Sequence, residues 1–290
     1  MPSPAERQYI LAQVSSLAAD QLKTLWIKAA ELVDVDFAAY VRKAFPELVD
    51  PYASMAAGMA ANWYDETPTT TTGYSAATAA LPEADMLERS AQWALGGSGD
   101  VGLDRLTGTM QRAIFNSARD TTVLNTEFEP GARWARHASA NACAFCALMA
   151  TRGVVYATEQ SALRVVGRSV NLETADRRAI AAGLTTRDEA LQSRMVYRSP
   201  RQAAKRGKSV GDKRVGAQRG SRATGDKYHD HCHCVAIEIR PGGSYEPPPY
   251  VQDWDAAYTE ASRANRTKGE YDAIDIKGVL ATMRQTLGTS

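Results

Sequence analysis

The sequence is poor in the residues that most often bind transition metals, with four cysteines and four histidines in 290 residues. It also lacks long hydrophobic runs. No stretch approaches the ~20 apolar residues that a bilayer-spanning helix needs, which predicts a protein without membrane insertion. The opening residues, "MPSPAERQYILAQVSSLAAD", contain acidic side chains and no uninterrupted apolar core, so they do not resemble a secretory signal peptide. We therefore expect a reducing compartment, in which disulfides are rare.

The motifs of common catalytic sites are also missing. Zinc deaminases combine H-x-E with P-C-x-x-C, whereas this chain has no H-x-E, and its C-x-x-C follows Ala142. No recognisable motif places a serine nucleophile beside a base and an orienting acid. The sequence therefore predicts a protein that is not an enzyme. The alternative is a metal-dependent nuclease or other zinc hydrolase, in which His231 and His233 of "YHDHCHC" would activate water while His229 and the thiolates hold zinc.

The few cysteines that are present lie in two short clusters. Cys143 and Cys146 form a C-x-x-C in "NACAFCALM", and Cys232 and Cys234 form a C-x-C in "KYHDHCHCVAIEI". Both spacings can present two thiolates to one ion, and His229 is a fifth candidate ligand for about four positions. The clustering predicts a structural Zn²⁺ site, and the spacing leaves open which candidate is spare. The other interpretations are unliganded thiols, which often behave as small buried hydrophobes, and a disulfide or redox pair.

The hydrophobic pattern of the first 130 residues is helical. Apolar residues recur at intervals of three to five from Ala5 to about Leu32, and further helical segments follow as far as "NSARDTTVLNTE". The pattern changes at "EPGARWARHAS", which predicts a short strand, and "CVAIEI" predicts another. The sequence thus predicts an α+β, mainly α fold. A helical region precedes a small α/β region, whose two strands a zinc ion would join, and a C-terminal helix follows.

We expect three regions along the chain. Residues 1–130 form a helical domain, residues 131–245 form the zinc-binding region, and residues 246–290 form a proline-rich link and the C-terminal helix. The side chains of that helix that we expect to face a partner surface are Ile274, Ile276, Leu280 and Met283.

Charge is unevenly distributed, although the net charge is only +1. Residues 1–130 contain 9 Lys and Arg against 17 Asp and Glu, a net charge of −8, whereas residues 187–227 contain 12 against 4, a net charge of +8. The basic segment has few large apolar residues, which predicts a mobile loop without a core of its own. It is expected either to bind a polyanion such as DNA or to act only as a solvated spacer. The candidate nucleic-acid-binding residues are Lys205, Arg206, Lys208, Lys213 and Arg214.

The order C-x-x-C, a long gap and H-x-x-C-x-C resembles the minor head proteins of tailed bacteriophages. The similar family is the phage Mu F-type head morphogenesis family, especially its members from phages of actinobacteria. The matching positions are Cys143, Cys146, Gly153, Tyr156, His229, Cys232 and Cys234. The closing "PPPYVQDWDAAYTEAS" and "TMRQTL" also look like the actinophage branch, so that the resemblance covers roughly residues 100 to 290.

The resemblance implies a low-copy protein of the procapsid that assists head assembly and DNA packaging or ejection. The partners that it implies are the portal protein and the major capsid or scaffolding protein, with phage DNA as a further candidate. It also implies a location inside the capsid, and in the host cytoplasm during assembly.

Overall fold

A computed structural model gives the architecture of most of the chain. It describes residues 1–32, 34–71, 73–97, 99–153, 164–166, 174–186, 189–190, 193, 196–197, 200–205, 207–212, 221–223, 232–265 and 275–289. The described residues are mainly helical, with two small antiparallel sheets. The predicted α+β, mainly α fold is therefore confirmed.

Four helices form the N-terminal region: α1 (Pro4–Ala29), α2 (Asp34–Glu66), α3 (Ala84–Leu95) and α4 (Asp100–Phe128). Helix α1 begins with a capping box, in which the Glu6 amide donates to Ser3 Oγ and the Ser3 amide donates to Glu6 Oε2. Helix α2 continues through Pro46 and Pro51, although each proline removes one backbone hydrogen bond. Its buried alanines pack in the same core as α4, and this burial offsets the lost bonds.

The first hydrophobic core lies among these helices. It contains Leu11 and Leu22 of α1, Phe45 of α2 and Ile114 of α4, all at most 1% exposed. Strand β4 (Val235–Ile239), which follows more than 100 residues after the end of α4, adds Val235 and Ile237 to the same core. The helical region therefore folds onto the sheet that follows it.

The two strands predicted beside the cysteines pair with each other. Strand β1 (Arg133–His137) runs antiparallel to β4 (Val235–Ile239), in a register that places Arg133 opposite Ile239 and His137 opposite Val235. The C-x-x-C follows the end of β1 and the C-x-C precedes the start of β4. Because an antiparallel pair brings the end of one strand to the start of the other, both cysteine motifs lie at the same end of the sheet.

Two buried ion pairs fasten β4 and the residue after it to the helices. The Arg7 guanidinium donates two hydrogen bonds of 2.8 Å to the Glu238 carboxylate, which joins α1 to β4. The Arg240 guanidinium donates to Glu129, at the end of α4, over distances of 2.9 to 3.2 Å. The side chains of both pairs are at most 4% exposed.

A second core surrounds the cysteines and includes three further helices: α5 (Ala144–Ala150), α8 (Tyr250–Ala264) and α9 (Ile276–Leu287). Val279 and Met283 of α9 are fully buried, and Ile276 and Leu280 pack against the same core. Met283 thus packs inside the chain and does not face a partner surface, which corrects the expectation for that residue, whereas Ile276 and Leu280 are half-buried. Ile274 lies outside the described residues. The predicted boundaries at residues 131 and 246 stay a prediction.

The segment between the cysteine motifs contains both helices and strands. It contains β2 (Arg164–Val166), α6 (Thr174–Ala181), α7 (Pro200–Ala204) and β3 (Ser221–Ala223), and β2 pairs with β3. Within residues 187–227, Ala203 and Tyr197 are buried. The stretch predicted as a mobile basic loop therefore contains short regular elements at these positions. Within residues 187–227, α7 and β3 are only five and three residues long, and β3 pairs with a strand more than 50 residues away, so no local periodicity indicates them.

Candidate metal centre

Three cysteine sulfurs meet at the end of the β1–β4 sheet. The Sγ atoms of Cys146, Cys232 and Cys234 all lie within 4.8 Å of one another, and those of Cys146 and Cys232 are 3.4 Å apart. Sulfurs that share one zinc ion at about 2.3 Å in a tetrahedral site lie about 3.8 Å apart. The three residues are at most 3% exposed. Three buried thiols at this spacing can hold a metal ion.

Local structure explains why the C-x-x-C points into the site. Cys143 is the N-cap of α5, and its Sγ accepts a hydrogen bond of 3.5 Å from the Cys146 amide. Cys146 therefore stands in the first turn of the helix, where its side chain faces the second core. Cys232 and Cys234 are two residues apart in the extended segment before β4, so their side chains project to the same side.

The structure brings together three of the five predicted ligands. Cys143 is half-buried and lies one helical turn from Cys146, outside the group of three. His229 lies outside the described residues, as does His231. The exposed His233 packs its ring 5.4 Å from the ring of Phe115, and its carbonyl accepts a hydrogen bond from Gln8 Nε2.

Two buried arginines that no sequence motif indicates border the sulfurs. Arg119 of α4 is 1% exposed, and its Nη2 lies 3.6 Å from Cys232 Sγ. Arg136 of β1 is 2% exposed, and its Nη1 lies 4.0 Å from Cys146 Sγ. The sequence feature that could have identified them is their position. Each arginine lies on a face of its helix or strand where the hydrophobic pattern predicts a buried residue. Their positive charges can offset the negative charge of a thiolate–metal centre.

The thiols of the cluster differ in acidity. Hydrogen bonds from Cys146 and Cys234 lower the pKa of Cys232 far below its ordinary value, helped by the charge of Arg119 and opposed by burial. Hydrogen bonds with Cys143, Cys232 and Cys234, together with burial, raise the pKa of Cys146. Cys232 is thus the first thiol to ionise, and a bound metal would displace the protons of the others.

Comparison with known proteins identifies the family. The family model described as "VG15 protein" matches residues 4–169 and 191–261, which is most of the chain. The chain belongs to the VG15 family. VG15 is a family of phage proteins, so the phage origin that the resemblance implies is confirmed, whereas the narrower phage Mu F-type assignment stays a prediction. No curated protein and no solved structure matches this VG15 family member.

The basic residues of this VG15 family member are only partly described. Lys205 and Lys208 are exposed, and Lys205 follows directly after α7. Arg206, Lys213 and Arg214 lie outside the described residues. Among the described residues, no helix is both long and apolar enough to cross a membrane.

Proposed function

We propose that this phage protein is a minor capsid protein of the head morphogenesis type. In this proposal it associates with the portal and the procapsid and assists head assembly and DNA packaging or ejection. Membership of the VG15 family supports a virion-related role. The resemblance of the cysteine pattern to phage Mu F-type minor head proteins supports the narrower role.

The buried cysteine cluster is the observation that favours an assembly protein over a hydrolase. A hydrolytic zinc ion keeps one position open to water, whereas structural zinc is closed by four protein ligands. Cys146, Cys232 and Cys234 are at most 3% exposed, and they join segments that are 86 residues apart along the chain. We propose that they hold a structural Zn²⁺ ion, with Cys143 or His229 as the fourth ligand.

The proposed partners are the portal protein, the major capsid or scaffolding protein, and phage DNA. A tagged chain that is expressed with the portal protein of the same phage is expected to co-purify with the portal ring, and imaging of assembled heads should place it inside the capsid near the portal. Expression with the major capsid protein alone tests the second partner, and expression of the tagged chain by itself is the control. A chain that binds neither protein and is absent from purified heads would contradict the proposal.

Replacement of the five basic residues by serine tests the contact with DNA. The candidates are Lys205, Arg206, Lys208, Lys213 and Arg214. If about six phosphates are neutralised, the affinity of the natural chain for duplex DNA should fall about a thousandfold between 50 and 200 mM salt, because counterion release drives such binding. The variant with all five residues replaced should show a much weaker dependence of DNA affinity on salt concentration. Fluorescence anisotropy with labelled duplexes of two unrelated sequences measures the salt dependence.

A variant in which five exposed cations elsewhere in the chain are replaced by serine provides the matched control. These residues lie on α1, α2 and α3, and they are Lys23, Lys28, Arg42, Lys43 and Arg89. The two variants have the same net charge, so only a local contact distinguishes them. Equal losses of affinity in both variants would assign the binding to net charge.

The nuclease alternative has its own test. If the chain cuts plasmid DNA in Mg²⁺ or Mn²⁺, and His231→Ala or His233→Ala abolishes the cutting, that result would favour the alternative.

A further inference from the structure

The side chain of Arg119 contacts backbone carbonyls of the C-x-C segment as well as the sulfur of Cys232. Its Nε donates 2.7 Å to the carbonyl of Cys234, and its Nη2 donates 2.6 Å to the carbonyl of Cys232. Its Nη1 donates to Asn116 Oδ1 at 2.9 Å, and the guanidinium lies over the ring of Phe115 at 5.1 Å. A single guanidinium group from α4 thus hydrogen-bonds the backbone of both cysteines of the motif.

These two carbonyls precede the paired part of β4. The β1–β4 ladder begins at the pair His137 and Val235, so Cys232 and Cys234 lie beyond the strand hydrogen bonds. A buried carbonyl without a hydrogen-bond partner destabilises the folded state, and Arg119 supplies the partner of both carbonyls. Carbonyls two residues apart in an extended segment face the same direction, and the planar fork of arginine can reach both. Lysine has one nitrogen on a flexible stem and cannot reproduce this geometry.

The position of Arg119 in the helical region extends the effect of this contact. Helix α4 packs against α1, α2 and α3 and contributes Leu106, Met110 and Ile114 to the first core. Movement of the C-x-C segment away from α4 would break two short hydrogen bonds in a buried site. A metal ion that fixes the same segment through its sulfurs would favour the same position.

We infer that Arg119 is a positioning residue of the metal centre, which preorganises Cys232 and Cys234 and couples metal binding to the stability of the helical region. The inference rests on the proposed metal-binding function. Groups that orient metal ligands without touching the metal typically change affinity by about 10- to 100-fold when they are replaced. Arg119 acts on the ligands through their carbonyls, so its contribution is expected to require its shape as well as its charge.

Arg119→Lys is expected to weaken zinc binding by about 10- to 100-fold, measured by competition with a chromogenic chelator on refolded metal-free protein. Arg7→Lys is the matched control, since Arg7 is also a buried, forked arginine that contacts β4, but through Glu238 and not through the cysteines. It should lower stability and leave zinc affinity within about twofold of the natural chain. The thiolate–cobalt absorption of the Co²⁺ form should show the same number of bound sulfurs in both variants.

Zinc affinity of Arg119→Lys equal to that of the natural chain would overturn the inference. A natural chain that binds no zinc would overturn the proposed metal centre itself. If Arg119→Lys does not fold, hydrogen exchange of the natural chain decides the question. Zinc should then slow exchange in the turns of α4 around Arg119 as well as near the cysteines. Protection confined to residues 143–150 and 232–239 would contradict the coupling.

Discussion

Cys146→Ser is expected to abolish tight zinc binding and to lower the melting temperature by about 10 °C. A ligand present at about a thousand times its dissociation constant stabilises the folded state by about 4 kcal/mol, and in a chain of this size each kcal/mol shifts the midpoint by about 2–4 °C. Cys146 is the cysteine of the C-x-x-C whose sulfur lies within the group of three. Elemental analysis of protein purified without added metal, together with thermal unfolding, measures both effects.

Ala147→Ser is the matched control for this substitution. Ala147 is fully buried in the same helix, so the change also buries a hydroxyl but removes no sulfur. It should lower stability while one zinc ion per chain remains. Cys143→Ser then identifies the fourth ligand, because it abolishes zinc binding only if Cys143 completes the site. A natural chain that is fully folded and free of metal would contradict the prediction.

The structure also changes the prediction of which region is destabilised when zinc is removed. On sequence grounds alone, the region after residue 130 would unfold more than the helical region, because all four cysteines lie after residue 130. However, β4 places Val235 and Ile237 in the core of the helical region and forms an ion pair with α1 through Glu238. We therefore expect one cooperative transition that shifts as a whole when zinc is removed.

The sequence predicts those features of this fold that depend on local patterns. Periodicity predicts the helical region and both strands beside the cysteines, and spacing predicts that the two cysteine motifs lie close together. The structure contains these helices and strands, and it brings Cys146 close to Cys232 and Cys234. The continuity of α2 through Pro46 and Pro51 does not follow, since tertiary packing there outweighs the preference of proline. Arg119 was missed for a similar reason, because its partners lie 113 and 115 residues away along the chain.

Glu129 and Arg240 were also missed, and their ion pair carries the second large expected effect. Glu129→Gln is expected to cost about 3–5 kcal/mol of unfolding free energy, because it leaves the charge of Arg240 buried without its partner. The lost interactions are extensive, since Tyr64 Oη and Thr71 Oγ1 also donate to the Glu129 carboxylate at 2.7 and 2.8 Å. Urea unfolding followed by circular dichroism measures the change. Asp20→Asn, in the exposed pair of Asp20 with Lys23, should change stability by less than about 1 kcal/mol.

The pH dependence of stability provides an independent measure of the same ion pair. Burial raises the pKa of Glu129, but hydrogen bonds from Arg240, Tyr64 and Thr71 outweigh it, so that the pKa lies below the ordinary value of 4.5. A carboxylate with a depressed pKa in the folded state contributes stability that is complete above its unfolded pKa and is lost as the pH falls through its folded pKa. Stability of the natural chain should therefore decline below about pH 4.5, and that of Glu129→Gln should decline less steeply over the same range.

A double variant distinguishes the interaction between Glu129 and Arg240 from the effect of leaving one buried charge without its partner. Glu129→Gln with Arg240→Met removes both partners, so the buried guanidinium that makes the single change costly is gone. The double variant should be more stable than the sum of the two single changes predicts, by about 1–3 kcal/mol, because contacting residues are not additive. Additive losses, together with an unchanged acid limb in Glu129→Gln, would show that the two side chains do not act as a pair. In that case the hydrogen bonds of Arg240 to the carbonyls of Tyr64 and Thr67 would be its main contribution to joining the sheet to α2.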